Sequence, residues 1–237
     1  MSVNERYLPA TSMTNRLAVF AVKYPSFLKI AIIILTGFLS GGFTDSFAEK
    51  IKSNVIRTEA SLIAAENLLN SIRSLKSLFV QSSTTGASTS GNLYMKRPGN
   101  LRIDYKKPDT LQIYSDGTWV FYVDKELKEI SQLPLAETPA SFLIRDRFKF
   151  SEGLTVLKIT KTPLTLEISA ARRGQEEAGS FTLIFSNKVD TFRGWAITDA
   201  QGIKTTIKLI SPIINNPIPN EVFNFTPPDW AFPKDEQ

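Results

Sequence analysis

Histidine and cysteine, on which most hydrolytic and metal-dependent sites rely, are both missing from the 237-residue sequence. No Ser-His or Cys-His nucleophile pair can be assembled, no disulfide or zinc–thiolate site can form, and a transition-metal site would have to be built from carboxylates alone. Cysteine is also the residue on which a bacterial lipoprotein is acylated, so the chain is not itself such a lipoprotein. An enzyme acting on lipid or glycan would have to use carboxylates such as Asp104, Asp116 or Asp124, and Asp116, before Gly117, has a sufficient task as a turn residue. Arg172-Arg173 and Glu176-Glu177 flank Gly174 and read as a solvated turn, not a carboxylate pair. The expectation is a protein that is not an enzyme, with no catalytic residue, no metal and no cofactor. Arg97 is the polar residue that stands out, following an apolar strand and preceding Pro98. Its five donors can span several carbonyls at once, as lysine cannot, although a solvated strand-edge arginine fits the position equally well.

The charge balance points away from nucleic acid. The formal charge is +5, part of it lying in the first 48 residues, where Arg6, Arg16, Lys23 and Lys29 outnumber Glu5 and Asp45. The remainder has no concentrated basic patch with aromatics and no reader motif. Lys23 and Lys29 precede the apolar run Ile30 to Phe43, and Ser46-Phe47-Ala48 follows as a small-x-small cleavage pattern. Residues 1–48 are therefore expected to be a secretory signal peptide, with Met13 as an alternative start. The apolar run is shorter than the ~20 residues that span a bilayer, and its glycines and Thr36 weaken it. Residues 49–237 are left as a single domain.

Between Lys50 and about Lys76, Val55, Leu62, Ala65, Leu69, Ile72 and Leu75 recur at three- and four-residue intervals, predicting one amphipathic helix. Beyond it the period becomes two. A polar turn from Ser82 to Ser90 separates strands centred on Phe79 and Leu93. Asp116-Gly117 between Leu111–Ser115 and Thr118–Asp124 predicts a tight type I′ hairpin. Leu164, Leu166 and Ile168, then Phe181, Leu183 and Phe185, then Ile203, Ile207 and Leu209 each alternate with polar residues. Thr138-Pro139 followed by Ala140, Phe142, Leu143 and Ile144 predicts a short apolar helix amid the strands. Val222 to Pro228 reads as a last strand stopped by two prolines. Strands joined by short turns imply an antiparallel sheet curling into a barrel or half-barrel, in a mainly β, α+β fold.

An ordered set of motifs carries a resemblance: Gly91-Asn92-Leu93-Tyr94-Met95-Lys96-Arg97-Pro98, Pro108, Ser115-Asp116-Gly117 with Trp119 to Tyr122, and Phe223-Asn224-Phe225-Thr226-Pro227-Pro228. Together with the leader, the first helix and the interrupted sheet, they resemble the LolA family. The resemblance implies an unclosed antiparallel β-barrel covered by an N-terminal helix and a short lid helix, with a cavity that shelters lipoprotein acyl chains. It implies a periplasmic carrier that takes acylated outer-membrane lipoproteins from an inner-membrane ATP-driven complex and delivers them to an outer-membrane receptor. It also implies that Arg97 hydrogen-bonds to backbone carbonyls of the lid, so that Arg97→Leu would loosen the lid. Val80 and Ile103 stand where the family often has an aromatic residue and a tryptophan.

An acyl chain gains ~0.8 kcal/mol per CH₂ on burial, so a carrier needs a concave apolar wall. The expected wall is Tyr105, Trp119 and Phe121 from the sheet and Phe142, Leu143 and Ile144 from the short helix. Trp119 and Phe121 share one face of their strand, Val120 and Tyr122 the other, and only one pair can face a cavity; the expectation is the Trp119 face. Ordinary core packing would account for each aromatic singly. A monomer is expected. The alternative is an anchored or soluble periplasmic lipid-binding sensor using the same fold.

Overall fold

The computed structural model describes residues 44–231; the apolar run Ile30 to Phe43 lies outside them. Helix α1, Thr44–Ser71, opens the described chain, so Ser46-Phe47-Ala48 falls within its first turns. Its buried Ala65 and Leu69, with Ile72 just past its end, follow the three- and four-residue spacing of an amphipathic helix. The sequence predicted helix to Lys76, but the helix stops at Ser71 and Leu75 and Lys76 belong to the first strand. Asn215, distant in sequence, ends it: its Nδ2 donates to the Ser71 carbonyl (2.8 Å), and its Oδ1 accepts from the Arg73 amide (2.7 Å). Those backbone groups would otherwise be orphaned at a helix end.

Eleven antiparallel strands follow: β1 Ser74–Ser83, β2 Ser88–Lys96, β3 Asn100–Tyr105, β4 Leu111–Asp116, β5 Trp119–Asp124, β6 Glu129–Pro134, β7 Leu154–Lys161, β8 Thr165–Arg172, β9 Gly179–Ser186, β10 Phe192–Asp199 and β11 Lys204–Ile214. They form one sheet in the order β6-β5-β4-β3-β2-β1-β11-β10-β9-β8-β7. β6 and β7, consecutive in the chain, are the two edges and do not pair, so the curled sheet is an unclosed barrel. The segment between them carries helix α2, Ala140–Ile144, at the position the Thr138-Pro139 start predicted.

Two local expectations need correction. In the β4–β5 hairpin Ser115 pairs with Val120, and of the turn residues only Gly117 has a positive φ, 97°. That is the pattern of a type II′ turn with glycine first, not type I′. Asp116 sits one place earlier, where Oδ1 accepts from the amides of Thr118 and Trp119, both at 2.8 Å. The predicted final strand is instead a 3₁₀ turn, Asn220–Phe223, and an irregular strap. The strap crosses the outer face of the sheet: Lys96 Nζ donates to the Ile218 carbonyl (3.3 Å), Arg102 to the Val222 carbonyl (3.1 Å), and Phe225 stacks on Phe121 at 4.5 Å. Its alternating aromatics are buried by side-chain contact and not by a ladder of backbone bonds.

The inner face holds the main core, including Phe79, Leu93, Ile168, Leu183 and Phe185, closed over by α1 and α2. A smaller cluster of Tyr114, Phe121 and Val123, with Trp119, Ile130, Phe225 and Trp230 against it, occupies the outer face under the strap. Leu164 and Ile203, read as inward strand residues, lie just outside β8 and β11 and are exposed.

Candidate functional site

The concave face of the sheet and the segment bridging its edges enclose a cavity of about 230 Å³. Strand alternation builds the walls: Leu101, Ile103 and Tyr105 on β3, Val120 and Tyr122 on β5, Phe181 and Leu183 on β9, Trp195 and Ile197 on β10, and Ile207 on β11 all point inward. Leu69 of α1, Phe142 and Leu143 of α2, and Phe148 beyond it complete the enclosure. No lining side chain is charged, and the polar ones are Gln81, Tyr105, Tyr122, Thr138 and Thr205. An apolar enclosure with a few placed polar groups is the usual form of a small-molecule site.

A cross-strand arrangement sets the shape of the wall around Tyr105. Phe79, Gly91 and Tyr105 are register partners across β1, β2 and β3, and the rings of Phe79 and Tyr105 meet edge to face at 5.3 Å. A Cβ on Gly91 would strike the Phe79 ring at 2.6 Å and the Asp104 carbonyl, so only glycine admits the ring there. The Tyr105 hydroxyl donates to Gln81 Oε1 at 2.8 Å. Burial, with neighbouring Tyr122 and Asp109, pushes the Tyr105 phenol up to about 12. Burial raises Tyr122 as well, so both phenols stay neutral at physiological pH.

The lid helix is held at both ends. Phe142 stacks on Phe181 at 5.2 Å, with the guanidinium groups of Arg145 and Arg172 over its ring at 4.6 and 5.1 Å. Arg172 also donates to the Ala136 carbonyl (2.6 Å), and the Gly99 amide donates to the Ile144 carbonyl (2.8 Å) at the lid's C-terminal end. Gly99 approaches Gly117 of the neighbouring hairpin so closely that a Cβ would lie 2.5 Å from the Gly117 Cα. Beyond the lid, Asn70 of α1 brackets Phe148, accepting from its amide (2.7 Å) and donating to its carbonyl (2.9 Å). Glu66 accepts from the Phe150 amide at 2.7 Å.

Of the residues singled out in the sequence, Tyr105, Phe142 and Leu143 line the cavity. Ile144 is fully buried in the core beside it and does not line it. Trp119 and Phe121 are on the wrong face: both join the outer cluster under the C-terminal strap, and Val120 and Tyr122 look inward instead. Both faces of β5 are apolar because both are covered, so alternation alone could not orient the strand. Arg97 is also corrected. It is 5% exposed, as a solvated edge arginine would not be, yet none of its three guanidinium nitrogens has a hydrogen-bond partner among the described residues. The lid carbonyl at Ile144 is taken by Gly99, so the arginine-to-lid bonds are not made in this structure. Burial, with Arg73 and Arg145 nearby, lowers the Arg97 pKa to about 10 despite Asp146.

Sequence reasoning missed the contribution of β9 and β10. The Phe181-Leu183 alternation marked an apolar face, but the sequence gives no signal that Trp195 faces the same space from the next strand. The three candidate carboxylates have structural partners. Asp104 pairs with Arg102 (2.8 Å) and accepts from Gln112 (2.7 Å); Asp124 accepts from the Glu126 and Leu127 amides (2.9 and 3.0 Å); Asp116 orders its turn.

The sequence model of the family described as Outer membrane lipoprotein carrier protein LolA matches residues 70–226. The chain is 27% identical over 186 residues to the outer-membrane lipoprotein carrier protein of Legionella pneumophila (strain Lens), covering 75% of this chain and 91% of that protein. It is 26% identical over 182 residues to the protein of the same name from Methylococcus capsulatus, covering 69% and 82% respectively. Among solved structures, a LolA superfamily protein from Nitrosomonas europaea aligns with 69% of this chain and 97% of its own, at 11% identity and a TM-score of 0.42. The family match takes in every strand, the lid helix and all the cavity walls except Leu69. The chain therefore belongs to the LolA family.

Proposed function

We propose that the chain is a non-enzymatic carrier that shelters the acyl chains of lipoproteins and moves them through the periplasm from the inner to the outer membrane. The observation that carries this reading is the uncharged, largely apolar cavity between an unclosed sheet and a lid that bridges its two edges. A dozen buried methylenes are worth about 10 kcal/mol before the costs of association, which suits a cargo held by area and not by fixed polar geometry. The closed cavity, about 230 Å³, is below the roughly 300–1,000 Å³ of ordinary ligand sites, so loading several chains requires α2 to swing outward. The lid is one short helix held by a ring stack, two guanidinium contacts and a few bonds, and its outward movement would also uncover Phe142, Leu143 and Ile144. Family membership supports the remaining parts: export by the leader of residues 1–48, cargo received from an inner-membrane ATP-driven complex, and delivery to an outer-membrane receptor by a monomer.

Native mass spectrometry of protein purified from the periplasm, with extraction of whatever is bound, tests this directly. Co-purifying acylated protein, or uptake of purified lipoprotein by the empty chain, is the expected result. A clean unliganded mass with no later uptake would leave the fold assignment standing and remove the carrier reading.

A further inference from the structure

The cavity is not uniformly apolar: besides Thr138 and Thr205, its wall carries Gln81, Tyr105 and Tyr122. Gln81 of β1 and Tyr105 of β3 are joined by a hydrogen bond of 2.8 Å. Tyr122 lines the same cavity two strands away, on β5, and is close enough to Tyr105 to perturb its ionisation. Two donors are left over: the Gln81 amide Nε2 and the Tyr122 hydroxyl make no hydrogen bond among the described residues. In the strand register Leu75, Met95 and Leu101 form the row next to the β2–β3 turn that grips the lid. Gln81 lies six residues along β1 from that row, whereas Tyr122 shares a row with Ile103 and Ile113, two residues from it, so the free Gln81 amide sits in the part of the cavity remote from the lid's anchored end and the Tyr122 hydroxyl nearer to it.

The lining carries no charge and both phenols are neutral, so the group that satisfies these donors is a neutral acceptor. Acyl chains alone offer none. The geometry points to a carbonyl subsite, at which Gln81 Nε2 and the Tyr122 hydroxyl bind the ester carbonyls joining cargo acyl chains to their glycerol, with Tyr105 positioning the Gln81 amide. This inference rests on the carrier reading. It adds that the site selects ester-linked acyl chains over hydrocarbon of equal length, because a lipid without the carbonyl leaves both donors dehydrated and unpaired. The ester could belong to a lipoprotein's diacylglyceryl group or to a phospholipid.

Four probes separate these points, each titrated into the purified chain: a dipalmitoyl-glyceryl-cysteine peptide, its di-ether counterpart, dipalmitoyl phosphatidylethanolamine and its di-ether counterpart. The expected result is a preference for ester over ether of about threefold to tenfold in the pair that binds, the size of one or two net hydrogen bonds. The binding pair names the source of the ester. Tyr122→Phe, which removes only the hydroxyl, should reduce the preference, and Gln81→Met with Tyr122→Phe should abolish it. Equal affinity for ester and ether in the wild-type chain, or a full preference surviving in the double variant, would overturn the subsite and leave the carrier reading intact. Failure of all four probes to bind would remove both.

Discussion

Replacing Arg97 by methionine should stabilise the protein, a result opposite to that expected of a lid latch. Arg97 is 5% exposed and its three guanidinium nitrogens lack hydrogen-bond partners among the described residues, with Arg73 and Arg145 adding repulsion. Its pKa falls from its ordinary value above 12 to about 10, and two to three powers of ten in proton affinity amount to about 3 kcal/mol against the charged form. Methionine keeps the apolar stem and removes the charge, so most of this should return as stability; buried charges replaced by hydrophobes of similar volume have given 1–4 kcal/mol. For a body of this size, about 3 kcal/mol corresponds to a rise in Tm of roughly 6–12 °C. Because the folded-state pKa lies below the unfolded one, the penalty is fully present below about pH 10 and is relieved as pH rises through 10 and beyond. The gap between variant and wild type should therefore be constant from pH 6 to 9 and narrow above 10. Urea melts of the unliganded proteins across that range measure it. A neutral or destabilising Arg97→Met at pH 7 would refute the reasoning, because it would mean that the guanidinium is hydrogen-bonded in the folded protein.

Other consequences can be checked by standard measurements. Phe121→Ala should cost about 3–5 kcal/mol in a urea melt, and a double-mutant cycle with Phe225→Ala should show coupling near 1 kcal/mol from the ring stack at 4.5 Å; additive effects would detach the strap from the sheet. Lipid uptake by the Phe121 variant, once folded, should match wild type, because that ring faces away from the cavity. Gly91→Ala should destabilise by about 1–3 kcal/mol or more, since its Cβ meets both the Phe79 ring and the Asp104 carbonyl. Asn70→Ala removes both bonds to Phe148 and should cost about 1–3 kcal/mol, with amide exchange accelerating first at Arg147 to Lys149; uniform exchange along the chain would show that α1 does not anchor this loop.

What the sequence determined by itself is local and periodic. The three- and four-residue spacing of Leu62, Ala65, Leu69 and Ile72 requires an amphipathic helix, the alternations around Phe79, Leu166 and Phe181 require strands, and Thr138-Pro139 starts the lid. Missing histidine and cysteine remove whole classes of chemistry before any fold is known. Tertiary structure decided matters that depend on what covers a surface. Period two assigns Trp119 and Phe121 to one side and Val120 and Tyr122 to the other, but only the C-terminal strap, arriving from residues a hundred positions away, makes the first pair outer core and leaves the second to the cavity. The same strap looked like a strand because alternating aromatics mark burial on one side, whichever means supplies it. The helix end and the fate of Arg97 follow the same logic. Asn215 caps α1 and Gly99 takes the Ile144 carbonyl, and a hydrogen-bonding group claimed by a distant partner leaves no trace in the residues beside it.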